Sequence, residues 1–204
     1  ALKEVALNDG SPRVREAAFR RITEEGGWIA REDSEELREF IRDMRLQKVK
    51  EFADNVLEHG RDQWGSYESP LFADGIFADT KEPGRHKEGG GWIISDFASQ
   101  QNLLRTLVGL SNLTGEKKYR EAAAAATQHM FDNYRGSTGL LYWGGHRLID
   151  LKTGKAHKWG QGDAGPHEMK FVMPFYEFLW EVDAEATEQF IRAFWNAHIL
   201  DWRK

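Results

Sequence analysis

Apolar residues recur three and four positions apart over most of this chain, the spacing of helices with one buried face. In SPRVREAAFRRI, Val14, Ala17, Ala18 and Ile22 share such a face, Ser11 stands as an N-cap, and Pro12 fits the first turn. A GGW turn follows at Gly26. A second helix is predicted from Ser34, with acids in its first turn as the helix dipole prefers. Phe40, Ile41, Met44, Val49, Phe52, Val56 and Leu57 keep the period as far as His59, and Gly60 ends it. Residues 61–94 lose the period and are rich in Gly, Pro, Asp and aromatics; a loop of that length in a compact domain is usually functional.

From Ser95 or Asp96 the helical spacing returns and runs to Gly115. A partner helix over 117–134 carries the alanine run 122–126, suited to close helix packing. A second long loop, 142–171, comes next. A short aromatic helix over 174–182 and a last one over 184–202 complete the pattern, the latter with Phe190, Ile191, Phe194, Trp195, His198 and Ile199 in register. Outside the loops no alternating, strand-like segment occurs. Paired helices joined alternately by short turns and long Gly/aromatic loops predict an all-α fold: a partial or small (α/α) toroid, favoured over a plain bundle. Residues 1–47 read as an N-terminal helical extension and 48–204 as the toroid-like domain. Helix faces left open by a partial toroid would promote self-association.

Composition narrows the function classes. The net charge of −5 is mild and no basic stripe is present, so a nucleic-acid partner is not expected. No apolar run approaches the roughly 18 residues of a membrane span, so no membrane partner is expected either. The chain has no cysteine, so any metal must be held by His, Asp or Glu. Eight Trp and twelve Phe are unusual for a chain of this size; most are expected to fill a core, and the Trp residues beside loop glycines suit stacking on a flat ligand such as a sugar ring.

The candidate chemistry lies in the two loops. His146, with His167 and Glu168, offers imidazole and carboxylate donors at the two rims of one excursion, a set suited to a divalent ion; the alternative is that these histidines bond backbone or carboxylates. Arg147 and Lys170 stand beside them and could receive a carboxylate-bearing sugar, or form salt bridges with Asp150, Glu177 or Glu181. Trp143, followed by Gly144 and Gly145, reads either as a stacking platform or as a tight turn with the ring folded inward. Asp74 and Asp79, five apart in PLFADGIFADT, could act as acid and base in glycoside hydrolysis, or simply form turns. His129 and His198 read as packing or surface residues, and His157, between two lysines, as solvent-facing.

The strings PLFADGIFADT, ASQQNLLRTLVGLSNLTGEKKYREAA, GLLYWGGHRLIDL, GPHEMKFVMPFYEFLWEVDAEAT and FIRAFWNAHILDW, in this order over roughly 48–202, resemble pectate-lyase-like α/α-toroid proteins of polysaccharide lyase family 2. The resemblance implies β-elimination on an acidic polysaccharide, assisted by a divalent metal (Mn, Ca or similar) held by two histidines and a glutamate, with an arginine beside one of those histidines as base. Carried over, His146 matches the first histidine and Glu168 the glutamate, with His167 an adjacent alternative. The family's Arg-His pair should follow the glutamate by several tens of residues, beyond Lys204, so the chain reads as truncated relative to the family. Within this chain Arg147, which follows His146 in the reverse order, is the candidate for that catalytic base, while Arg85-His86 has the right order at the wrong place. A secreted or periplasmic location is implied. The alternatives are a carboxylate-based hydrolase and a non-catalytic sugar-binding or scaffold fragment.

Overall fold

The computed structural model describes residues 11, 13–14, 17–18, 20–21, 35–86, 91–144, 147–158 and 172–199. Two compact units are present, Ala1–Lys50 and Glu51–Lys204. In the first, the described residues between 13 and 21 are helical apart from their gaps. Ala18 and Phe40 are buried there, with Ile41 and Met44 packed against them. Ile22 and Gly26 lie outside the described residues, and so does Trp202.

Helix α1 spans Glu35–His59. Its predicted stripe is only partly buried: Phe40 is buried, but Phe52 is 54% exposed and Val49 is also exposed. Gly60 closes it by donating its N–H to the Val56 carbonyl at 2.9 Å. A Cβ on Gly60 would sit 2.9 Å from that same oxygen, so the chain can turn this tightly only with glycine.

Within the second unit, α2 (Gln101–Thr114) and α3 (Lys117–Asn133) form a hairpin over two residues. Gly115 ends α2 in the left-handed region at φ 76°, its N–H bonded to Ser111 O, as its position in the sequence predicts. Leu104, Leu107 and Leu110 of α2 and Tyr119, Ala123, Ala126 and Met130 of α3 are all buried, and the two helices pack on each other, the alanines suiting a close approach. The helices α4 (Tyr176–Val182) and α5 (Ala184–His198) make a second hairpin whose first member packs on α3. Asp183 starts α5, its carboxylate accepting from Ala186 N–H at 2.9 Å. The chain is thus mostly helical, five helices being defined among the described residues, and the succession of packed hairpins agrees with a partial α/α toroid.

The loops contain what the hydrophobic pattern did not reveal. Strands β1 (Ile94–Ser95), β2 (Arg147–Asp150) and β3 (Lys155–Lys158) form one antiparallel sheet in that order, with Ser95 opposite Ile149 and Ile149 opposite Ala156. All four residues of β2 are buried, so it shows no alternation for a sequence reading to detect. Because Ser95 is in β1, α2 begins at Gln101 rather than at Ser95 or Asp96. α5 has two unlike sides: Phe190 is fully buried, whereas Ile191 and Trp195 are exposed and, with Trp180, line a groove of about 580 Å³.

Candidate functional site

The sheet and the start of α2 hold the ends of the short span that carries His146. Ala98 N–H donates to Trp143 O at 2.6 Å, and Arg147 N–H donates to Gly144 O at 3.2 Å. Gly144 adopts φ 150°, and a Cβ there would lie 2.2 Å from Asp96 Oδ1 and 2.7 Å from the Ala98 Cβ. Only a glycine can seat the chain against the Asp96 carboxylate in this way. Asp96 in turn is held from below: its N–H donates to Asp74 Oδ1 at 2.7 Å.

Asp150 organises the other end of β2. Its Oδ1 accepts from Ile93 N–H and Lys152 N–H, both at 3.3 Å, and its Oδ2 accepts from Thr153 Oγ at 2.8 Å. Gly154, at φ 64°, completes the β2–β3 turn with its N–H on Asp150 O. Asp150 is 2% exposed and is therefore a buried carboxylate whose oxygens the chain has filled with donors.

Several predicted site residues stand differently from expectation. Trp143 is 2% exposed, edge-on to Phe97 with centroids 5.7 Å apart and tilted against Phe190 at 5.5 Å. Of the two readings of this residue the inward one holds, because a ring this fully buried against Phe97 and Phe190 offers no face to a sugar. Arg147, expected as the base, is also 2% exposed and pairs with Lys158 across the β2–β3 ladder. Its guanidinium has no surface on which to meet a polymer, and an arginine is a poor base in any case. Asp74 Oδ1 accepts from Asp96 N–H and from Gln100 Nε2 at 3.0 Å, so this carboxylate is engaged in holding the chain. Asp79 is exposed and caps its own turn, accepting from Thr80 N–H at 2.9 Å. Asp74 and Asp79 are thus turn and anchor residues, the simpler of the two readings.

His157 is not a solvent-facing loop residue. It lies on β3, half-buried, its ring stacked on Trp92 with centroids 4.3 Å apart. His146, His167, Glu168 and Lys170 lie outside the described residues. Among the described residues no group of three or more His, Asp or Glu side chains is close enough to hold a metal ion.

A second polar cluster escaped the sequence reading. Asp62, buried at 6% exposure, accepts from Ser69 N–H and Ser69 Oγ on Oδ2. Burial pushes its carboxyl above the usual carboxylate range, against the Ser69 hydrogen bonds. His129 of α3 lies between Tyr67 and Tyr134, with centroids at 6.1 and 5.6 Å. Burial pushes its pKa below the ordinary imidazole value, against the pull of Asp132 and Asp62. Tyr134 donates its hydroxyl to Gly154 O at 2.9 Å, and burial raises it to about 12. No local spacing announces this cluster, since Tyr67 and His129 are 62 positions apart; the only hint was a histidine next to the buried face of an alanine-rich helix.

Comparison with known proteins bears on the same region. The family model described as periplasmic pectate lyase matches residues 69–204. A pectate disaccharide-lyase from Dickeya dadantii (strain 3937) is 37% identical over 168 residues, which is 81% of this chain and 30% of the relative. The chain therefore spans less than a third of the length of that relative.

Proposed function

Because the chain belongs to the periplasmic pectate lyase family, we propose that it serves in β-elimination on an acidic, uronate-containing polysaccharide, in the periplasm or outside the cell. The observation that carries this reading is the family match over 69–204, which contains the whole of the β1–β2–β3 sheet and the glycine-seated turn before His146.

The donor chemistry fits a divalent ion: with no cysteine in the chain, His146, His167 and Glu168 supply the imidazole and carboxylate set such an ion takes. Once bound, the ion would supply positive charge beside the uronate carboxylate, and so acidify the proton next to it. The chain's own part is to bind and orient. Lys170 is suited to pair with a uronate carboxylate. The bonds from Ala98 N–H to Trp143 O and from Arg147 N–H to Gly144 O hold the described residues on either side of His146. Arg147 serves the hairpin. A carboxylate-based hydrolase is not favoured, because Asp74 is committed to Asp96 and Gln100.

Two measurements test the proposal. With polygalacturonate and divalent metal, a lyase produces unsaturated ends that absorb in the ultraviolet, and chelator abolishes the signal; a hydrolase yields reducing ends without absorbance and ignores chelator. Calorimetric binding of oligogalacturonate without either product would mark a non-catalytic sugar-binding fragment. In parallel, His146→Ala and Glu168→Ala should each weaken metal binding, read by titration calorimetry, by about tenfold or more. Unchanged affinity in both variants would remove these residues as ligands.

A further inference from the structure

Gln101, the first residue of α2, is fully buried, and both ends of its amide are bonded to backbone. Nε2 donates to Phe97 O at 3.1 Å, and Oε1 accepts from Phe175 N–H at 2.9 Å. An apolar side chain would fill the same space without the desolvation cost, so what the amide adds is this pair of bonds. They reach two distant parts of the chain. Phe97 packs edge-on against Trp143, whose carbonyl accepts from Ala98 N–H. Phe175 stands where the chain enters α4.

Arg105, one turn further along α2, reaches the same place. Its Nη2 donates to Met173 O at 2.7 Å, and its guanidinium lies over the Phe175 ring at 5.1 Å. Residues 172–175 are in neither helix nor strand, and Pro174 between the two bonded groups has no N–H to offer. The Met173 side chain is 72% exposed, so its own packing does not fix it. Side chains of α2 therefore hold this segment. Gln101 N–H also donates to Ala98 O at 3.3 Å, so the attachments of Trp143 and of Phe175 are one helical turn apart.

We infer that the start of α2 is a clamp that holds the departure of the chain at Trp143 beside its return at Met173–Phe175, and that Gln101 is thereby a positioning residue for the divalent ion. The second half of this inference rests on the metal reading proposed above. His146 follows Trp143 by three residues, and Glu168 precedes Met173 by five. Ligands so far apart in sequence share an ion readily only where the ends of the intervening chain are already close, because closing that chain on binding costs entropy. Gln101 and Arg105 meet this cost in advance, during folding.

The full chain tests both halves. Without metal, hydrogen exchange at the Phe175 amide should be slow in the wild type and roughly tenfold faster or more in Gln101→Met, which has the same shape and neither bond. Gln101→Glu keeps an oxygen for the Phe175 N–H and should recover part of the protection. In titration calorimetry with Mn2+, Gln101→Met should bind about tenfold more weakly than the wild type, with Gln101→Glu in between. Asp183→Ala, which removes the cap of α5 instead, should lower Tm and leave the ion's affinity unchanged. Unaltered Phe175 exchange in Gln101→Met overturns the clamp. Affinity that falls in His146→Ala but not in Gln101→Met, or that falls as much in Asp183→Ala, overturns the positioning role. A wild type that binds no Mn2+ sinks the metal reading, and the positioning role with it, and is told apart because the exchange difference persists. If Gln101→Met does not fold, Arg105→Met, which loses the bond to Met173 O, takes its place in both measurements.

Discussion

His129 shows how a single buried ring links stability to pH. Burial lowers its pKa in the folded chain below the ordinary 6.5, so on acidification the unfolded chain takes up this proton first. The sign follows: the contribution of a neutral His129 is fully present above about 6.5 and is lost as pH falls through the lowered value. Asp62 acts in the opposite sense, since its raised pKa makes the buried carboxylate unfavourable at neutral pH and relieves that burden in acid. Asp132 also faces the ring and opposes the shift. Comparison of wild type with His129→Gln isolates the histidine term: the Tm advantage of the wild type should shrink between pH 7 and pH 5. An advantage that stays constant or grows on acidification would contradict the burial argument.

At the scale of elements, the β2–β3 hairpin is the piece that the rest of the candidate site depends on. Its strands are four residues each, too short to be stable as an isolated hairpin. Asp150 compensates by collecting the Ile93 and Lys152 amides and the Thr153 hydroxyl on one buried carboxylate. Asp150→Ala should therefore cost about 2–4 kcal/mol, because it leaves buried donors unmet as well as removing the bonds. Urea unfolding measures it; a loss below about 0.5 kcal/mol would show that the turn holds without this carboxylate. Exchange of the Ile93 and Lys152 amides with solvent should quicken in the same variant.

At the scale of the whole molecule, two tryptophans of like size occupy opposite environments. Trp143 is enclosed by Phe97 and Phe190, which belong to segments before and after it in the chain, so its ring joins the sheet region to the α4–α5 hairpin. Trp180 is 49% exposed at the groove beside Ile191 and Trp195. Trp143→Ala should cost about 3–5 kcal/mol by cavity formation, whereas Trp180→Ala should cost about 1 kcal/mol or less. Denaturant midpoints compare the two directly. Equal losses would mean that Trp143 is not the packing centre that its burial indicates.

The sequence alone determined the helical class, the α2–α3 hairpin with its Gly115 stop, and the family, because these rest on local periodicity, capping chemistry and phrases of adjacent residues. It located the His146–Arg147 span as a place of interest without saying which of its neighbours point inward. Tertiary structure alone decided that Trp143 and Arg147 are buried, that Asp74 anchors Asp96, that His157 stacks on Trp92, and that Asp62 is buried on the Ser69 donors. The physical reason is range. A helix is written in contacts three and four residues apart, whereas a fully buried four-residue strand has no alternation, and the stacking of His157 on Trp92, 65 positions away, leaves no periodic trace.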